Sequence, residues 1–92
     1  MNVEFTAEGA ADLDRIHQYI AERNPAAADR TLIRVLQSIA MLEDFPLIGR
    51  PGRIESTREL SISGLPYIAI YRLPDAIRVE VIAVVHERQN YP

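Results

Sequence analysis

The chain has no cysteine, no lysine and no tryptophan. Without cysteine there is neither a disulfide framework nor a thiolate metal site. The two histidines, His17 and His86, are too few for a histidine-based zinc site. No Gly-rich phosphate loop, metal-ligand spacing or Ser-His-Asp order appears, so no metal and no cofactor is expected. Long apolar runs are missing too. None exceeds the five residues of VIAVV, residues 81–85, far short of a membrane span. Residue 4 is already Glu and no apolar segment follows it, so no secretory leader is expected and the cytoplasm is the expected address.

What is present describes an ordinary small globular chain. At 92 residues, 48% apolar and 25% charged, it is expected to form one domain over residues 1–92. A domain of that size buries a modest share of its surface and has a thin stability margin, which favours a stabilising partner. The formal net charge is −3. Residues 1–49 hold eight acids and four arginines (−4), and residues 50–92 hold five acids and six arginines (+1). Non-specific nucleic-acid binding needs a clearly basic surface, which this balance does not supply.

Apolar spacing predicts the elements. NVEF is a short strand with Val3 and Phe5 on one face. Thr6 is a suitable N-cap for a helix whose stripe is Ala10, Leu13, Ile16 and Ile20, with Asp12 and Arg15 on the other face. Asn24 ends it and caps the next, and Pro25 takes the first helical position. The second helix, residues 25–44, shows two stripes. One is Ala28, Leu32, Val35, Ile39 and Leu42; the other is Ile33, Leu36 and Ala40. So wide an apolar face predicts contact with both the sheet and the first helix. A loop punctuated by Pro46, Gly49, Pro51 and Gly52 follows. TRELSIS, PYIAIYRL and AIRVEVIAVV then read as three strands separated by Gly64-Pro66 and Pro74-Asp75 turns. The expected fold is α+β, in the order β-α-α-β-β-β, with the helical hairpin packed on one face of a small antiparallel sheet. Strand parity sets Ile77, Val79, Val81, Ala83 and Val85 on one face, and Arg78, Glu80, Ile82 and Val84 on the other. His86 and Arg88 continue the second set, towards the side that no helix covers.

Three groups of side chains are candidates for function. Arg50, Arg53 and Arg58 lie in and after the Gly/Pro loop, where guanidinium forks suit phosphate or an acidic partner. The plainer reading is a solvated loop with Arg58 paired to Glu55 or Glu59. His86 with Glu59 or Glu87 offers an acid–base pair for RNA transesterification, against a polar strand end as the plainer reading. His17, beside the stripe of the first helix, reads as a boundary residue. Tyr67 and Tyr71 share one strand face and support the sheet, or stack on bases. Tyr91, beyond the last strand, either docks back on the sheet or meets a partner. The second face of PYIAIYRL, together with Leu47 and Ile48, predicts surplus apolar surface of the kind that marks an interface.

Five pieces then stand in a familiar order: YIAERNPAAADR, LEDFPLIGRPGR, TREL, PYIAIYR and VVHERQNYP. With them the chain resembles the RelE/ParE superfamily of toxins from type II toxin–antitoxin modules, and it is most similar to the ParE side through NPAAADR, GRPGR and HERQNYP. The resemblance covers nearly the whole chain. It implies a growth-inhibiting cytoplasmic toxin, associated with plasmid stabilisation and held in a hetero-oligomer by a cognate antitoxin. On the ParE side it implies inhibition of DNA gyrase with no hydrolytic chemistry. Target contacts would then fall on Arg50, Arg53, Arg58, His86, Arg88 and Tyr91. Antitoxin contacts would fall on Leu47, Ile48, Tyr67, Tyr71, Ile82 and Val84. The alternative is a RelE-like ribosome-dependent mRNA endonuclease using Arg58, Glu59, His86, Arg88 and Tyr91. A third reading is a non-toxic protein-binding module of the same fold.

Overall fold

A computed structural model describes residues Met1–Pro92. The elements run β1 (Asn2–Phe5), α1 (Ala7–Ala21), α2 (Pro25–Ala40), β2 (Arg50–Pro51), β3 (Arg58–Ser61), β4 (Tyr67–Arg72) and β5 (Arg78–His86), with a 3-10 turn at Met41–Glu43 after α2. The helices pack on a five-stranded mixed sheet of order β1-β5-β4-β3-β2. The three long later strands form the expected antiparallel meander. Two features enlarge it: β1 joins the far side of β5 in parallel, Val3 opposite Val79 and Phe5 opposite Val81, and the two-residue β2 pairs with β3.

The caps follow the local chemistry. The Thr6 hydroxyl accepts from the Gly9 amide at 3.0 Å and starts α1. The Asn24 side chain accepts from the Ala27 amide at 3.0 Å and starts α2, with Pro25 at its first position. His17 Nε2 lies 2.8 Å from Asp29 Oδ1, clasping the hairpin. The main core joins Val35, Ile39 and Leu42 to Ile62, Ala69, Tyr71, Val79, Val81 and Val84.

The second stripe of α2 is not buried. Ile33 is 54% exposed and Leu36 39%, and Ala40 also faces solvent. Only the Ala28–Val35–Ile39 line meets the core, because α2 presents one face to the sheet and the hairpin and nothing covers the other. Ala10 is likewise exposed; buried Gly9 meets the sheet instead. A Cβ at Gly9 would lie 2.6 Å from the Val81 carbonyl oxygen, so only glycine lets α1 approach β5 this closely.

A bulge in β5 changes the expected faces. Ile70 pairs with Ala83 and Tyr71 with Val81, which leaves Ile82 as the extra residue. Up to Val81 the parity is as expected, with Val79 and Val81 towards the helices. Beyond the bulge it reverses. Val84 joins the helix-side core, while Val85 joins Ile68 and Ile70 on the opposite face, with Ile82 and Ala83 beside them. His86, opposite Tyr67, therefore turns to the helix side rather than to the uncovered side.

Candidate functional site

The face of the sheet away from the helices carries the densest polar arrangement. Glu59 sits opposite Ile70 on β3 and Arg50 opposite Glu59 on β2, so all three share this face. Glu59 is only 2% exposed. Its Oε1 accepts from Arg50 Nη2 at 3.1 Å, and its Oε2 accepts from the Arg53 backbone amide at 3.0 Å. Arg53 Nε lies 3.4 Å from the same Oε2. Burial pushes the Glu59 carboxyl up; the Arg53 amide, the Arg50 guanidinium and the charges of both arginines outweigh that and hold it below the usual carboxylate range. Glu59 is thus an ionised anchor with its lone pairs taken.

Arg53 reaches further. Its Nη1 donates to the Tyr91 carbonyl at 3.0 Å. The Tyr91 ring packs on the cluster of Ile68, Ile70 and Val85. Burial raises the Tyr91 phenol pKa, and the nearby Glu59 charge adds to the rise. The aromatic residue beyond β5 therefore docks on the sheet and covers part of the face that no helix reaches.

The third arginine does different work. Arg58 Nη1 donates to the Gly49 carbonyl at 2.6 Å and the Leu47 carbonyl at 3.3 Å. Tyr71 holds the same loop from the core side, accepting from the Gly49 amide at 3.0 Å and donating to the Pro46 carbonyl at 2.7 Å. A Cβ at Gly49 would come within 2.6 Å of the Tyr71 hydroxyl. The loop that carries Leu47 and Ile48 is thereby fixed with both side chains exposed. Arg50, Arg53 and Arg58 do not form one anion site: two share a carboxylate and the third binds backbone.

On the helix side, a cleft of about 430 Å³ opens between α1 and the end of β5, lined by Asp12, Arg15, Tyr19, Tyr67, His86 and Gln89 among others. The His86 ring meets Tyr67 edge-on, centroids 5.6 Å apart. His86 Nδ1 accepts from the Arg88 amide at 3.1 Å, which leaves Nε2 as the ring atom free for a contact. Arg88 itself is exposed.

Several expected contacts need correction. Tyr71 is fully buried at 0% exposure, and Val84 is buried with the helix-side core. Neither offers the surface expected for an antitoxin contact. Ile82 and Tyr67 are partly exposed, and Leu47 and Ile48 well exposed. Glu59 and His86 lie on opposite faces of the sheet, so of the two expected acid–base pairs the one between His86 and Glu59 is not assembled. Arg58, spent on loop carbonyls, stands apart from both. Asp12, Arg15, Tyr19 and Gln89 escaped the sequence reading. Tyr19 carried a signal, being a large aromatic off the apolar stripe of α1; Asp12 looked like one more surface acid. No three or more His, Asp or Glu side chains converge as a metal would require. No helix is long and apolar enough to cross a membrane.

Comparison with known proteins agrees with this architecture. Residues 3–91 match the family described as ParE toxin of type II toxin–antitoxin system, parDE. A protein named "Putative toxin Y4kP" from Sinorhizobium fredii is 39% identical over 90 residues, spanning 98% of this chain and 92% of that one. A chain from the structure titled "Chromosomal ParDE TA system from P. aeruginosa" superposes with a TM-score of 0.84 at 21% identity, covering 94% of this chain and 95% of its own, which is a likeness of fold. With the fold, the order of motifs and a near-full-length family match in agreement, the chain belongs to the ParE toxin family of type II toxin–antitoxin systems.

Proposed function

We propose that the chain arrests growth by binding and inhibiting DNA gyrase in the cytoplasm, without hydrolytic chemistry, and that a cognate antitoxin neutralises it in a hetero-oligomer. The observation that carries this reading is the separation of Glu59 from His86. A ribosome-dependent nuclease needs a base and an acid on one substrate. Here Glu59, the carboxylate the RelE-like reading calls on, is buried and held by Arg50 and Arg53, on the far side of the sheet from the imidazole. The residues that face solvent suit contact with a protein instead. Exposed Phe45, Leu47 and Ile48, close together in one loop, supply apolar area of the kind interfaces use.

The test pairs two assays on the purified toxin. Gyrase supercoiling falls as toxin is added and recovers when the antitoxin is titrated in. Ribosome-bound mRNA stays intact. Cleavage of that mRNA by the wild-type protein, abolished by His86→Gln through a loss of roughly 10²–10⁴ in rate, overturns the proposal.

A further inference from the structure

We propose that Glu59 is the positioning residue of the interaction surface: a buried carboxylate that fixes Arg50 and Arg53 as oriented guanidiniums, through Arg53 holds Tyr91 on the sheet, and so builds one contact site for an acidic segment of a protein partner. The site rests on the protein-target reading above and names the chemistry of the contact.

Geometry links three stretches of chain that are remote in sequence. Arg50 comes from β2, Arg53 from the loop after it, and Tyr91 from beyond β5. Glu59 touches the Arg50 guanidinium at 3.1 Å, and it holds Arg53 through the backbone amide at 3.0 Å and the guanidinium Nε at 3.4 Å. Arg53 carries the link on to the Tyr91 carbonyl at 3.0 Å. The carboxylate itself is out of reach of any partner. The two guanidiniums are not: their side chains remain 58% and 42% exposed. Arg50 meets Glu59 through Nη2 and makes no other side-chain hydrogen bond, whereas Arg53 gives Nε and Nη2 to Glu59 and Nη1 to the Tyr91 carbonyl. An arginine held this way loses little further side-chain freedom when it binds, which is the advantage of a pre-organised contact.

The charge fixes the class of partner. Two guanidiniums and one carboxylate leave a local excess of one positive charge, on a chain whose net charge is −3. A nucleic-acid backbone presents closely spaced phosphates and meets repulsion from the rest of such a surface. One or two carboxylates on a protein meet the local excess alone, with the open donors of Arg50 available to pair with them and the Arg53 charge beside it. The Tyr91 ring and the neighbouring apolar cluster give such a segment an apolar border.

The positioning role is tested first on the free protein. In the wild type, the Tyr91 ring packed on this cluster is expected to shift the Ile68 and Ile70 methyl resonances away from ordinary values. Glu59→Gln and Arg53→Gln are both expected to return them towards those values, while backbone spectra stay folded. Gln at position 59 keeps the size and removes the charge that holds Arg53. Unchanged methyl shifts in a folded Glu59→Gln protein would sink the proposal, leaving Glu59 a structural ion pair. Should Glu59→Gln fail to fold, Arg53→Gln, at an exposed side chain, carries the same measurement alone.

The second arm is function. Each single variant is expected to need about tenfold or more toxin for half-inhibition of supercoiling, as loss of one charge-assisted contact implies. The double variant is expected to be no worse than either single, because the residues act as a unit. Added salt weakens wild-type inhibition more than that of Arg53→Gln, which lacks one of the site's positive charges. Additive losses, or equal potency for folded Glu59→Gln, overturn the site. A wild-type protein that leaves gyrase untouched sinks the gyrase reading instead. Growth arrest on induction then replaces supercoiling as the readout for the same variants, with the same outcomes expected and equal arrest by folded Glu59→Gln again overturning the site.

Discussion

Asp12 and Val84, 72 positions apart in the chain, are joined by a hydrogen bond of 2.9 Å from the Val84 amide to the Asp12 carboxylate. The bond exists because β1 ends too early. Its last residue, Phe5, pairs with Val81, so β5 beyond that point has no strand on that side. Helix α1 crosses the gap and supplies the partners. The Thr6 amide donates to the Val81 carbonyl at 3.0 Å, and Asp12 takes the Val84 amide. A bulged strand end is thus closed by a helix.

Asp12→Ala should therefore destabilise the fold although the residue looks like a surface acid. The Val84 amide is left unpaired beside the core, and a charge-assisted bond is lost. The expected cost is about 1.5–3 kcal/mol. Urea denaturation measures it. A midpoint equal to wild type would mean that water replaces the carboxylate.

Two neighbours on α2 should respond very differently. Ile39 is buried at the centre of the main core, and Ile39→Ala is expected to cost about 2–5 kcal/mol. Leu36 sits three residues away on the uncovered side. Leu36→Ala is expected to cost under about 1 kcal/mol, near the range of surface substitutions. Parallel denaturation curves with the same slope decide this. A large loss at Leu36 would show that its side is covered in the free protein.

These two cases mark where the sequence was legible. Thr6, Asn24 and Pro25 set helix starts through neighbours within three residues, so the caps were readable. Val3 and Phe5 alternate with polar residues, so the face of β1 was readable too. VIAVV offers no such contrast: every residue suits burial, and nothing in it marks Ile82 as the extra one. All parity beyond it, including that of Val84 and His86, was lost with the bulge. The double stripe of α2 failed for a related reason. Apolar residues at helical spacing show what can be buried, while the supply of covering elements decides what is. Glu59 was visible as a candidate acid, but its partners come from β2 and the following loop, whose path no local pattern fixes.

Stability should fall on the acid side in a way that depends on Glu59. Its folded pKa lies below the ordinary 4.5, because the Arg53 amide and the two guanidiniums overcome the effect of burial. The unfolded chain therefore takes up a proton at higher pH than the native one. The resulting stabilisation is fully present above about 4.5 and is lost as pH falls through the depressed folded value. Asp75, held low mainly by the Ile77 amide and Arg78, adds the same sign. Glu59→Gln should flatten the acid limb while leaving the part due to Asp75. An unaltered limb, followed by thermal melting over a pH series, would mean that the Arg50–Glu59–Arg53 cluster opens in the native state.

The alkaline limb should report Tyr71. Burial raises its phenol pKa above the ordinary 10.0, while the Gly49 amide and the Arg58 charge pull only partly against it. Here the native state keeps the proton longer than the unfolded chain. The stabilisation is present below about 10 and is lost as pH rises through the raised folded value. Tyr67 and Tyr91, both raised chiefly by burial, share the sign. Tyr71→Phe removes the largest buried phenol from this balance. It also leaves the Pro46 carbonyl and the Gly49 amide without their partner, at about 1–3 kcal/mol each where water cannot enter. The variant is therefore expected to be less stable than wild type at neutral pH and to lose less stability between neutral pH and the alkaline range. Denaturation at a series of pH values, with tyrosinate absorbance followed in parallel, tests both halves. Equal alkaline losses in the two proteins would show that the Tyr71 hydroxyl ionises without disturbing the loop it holds.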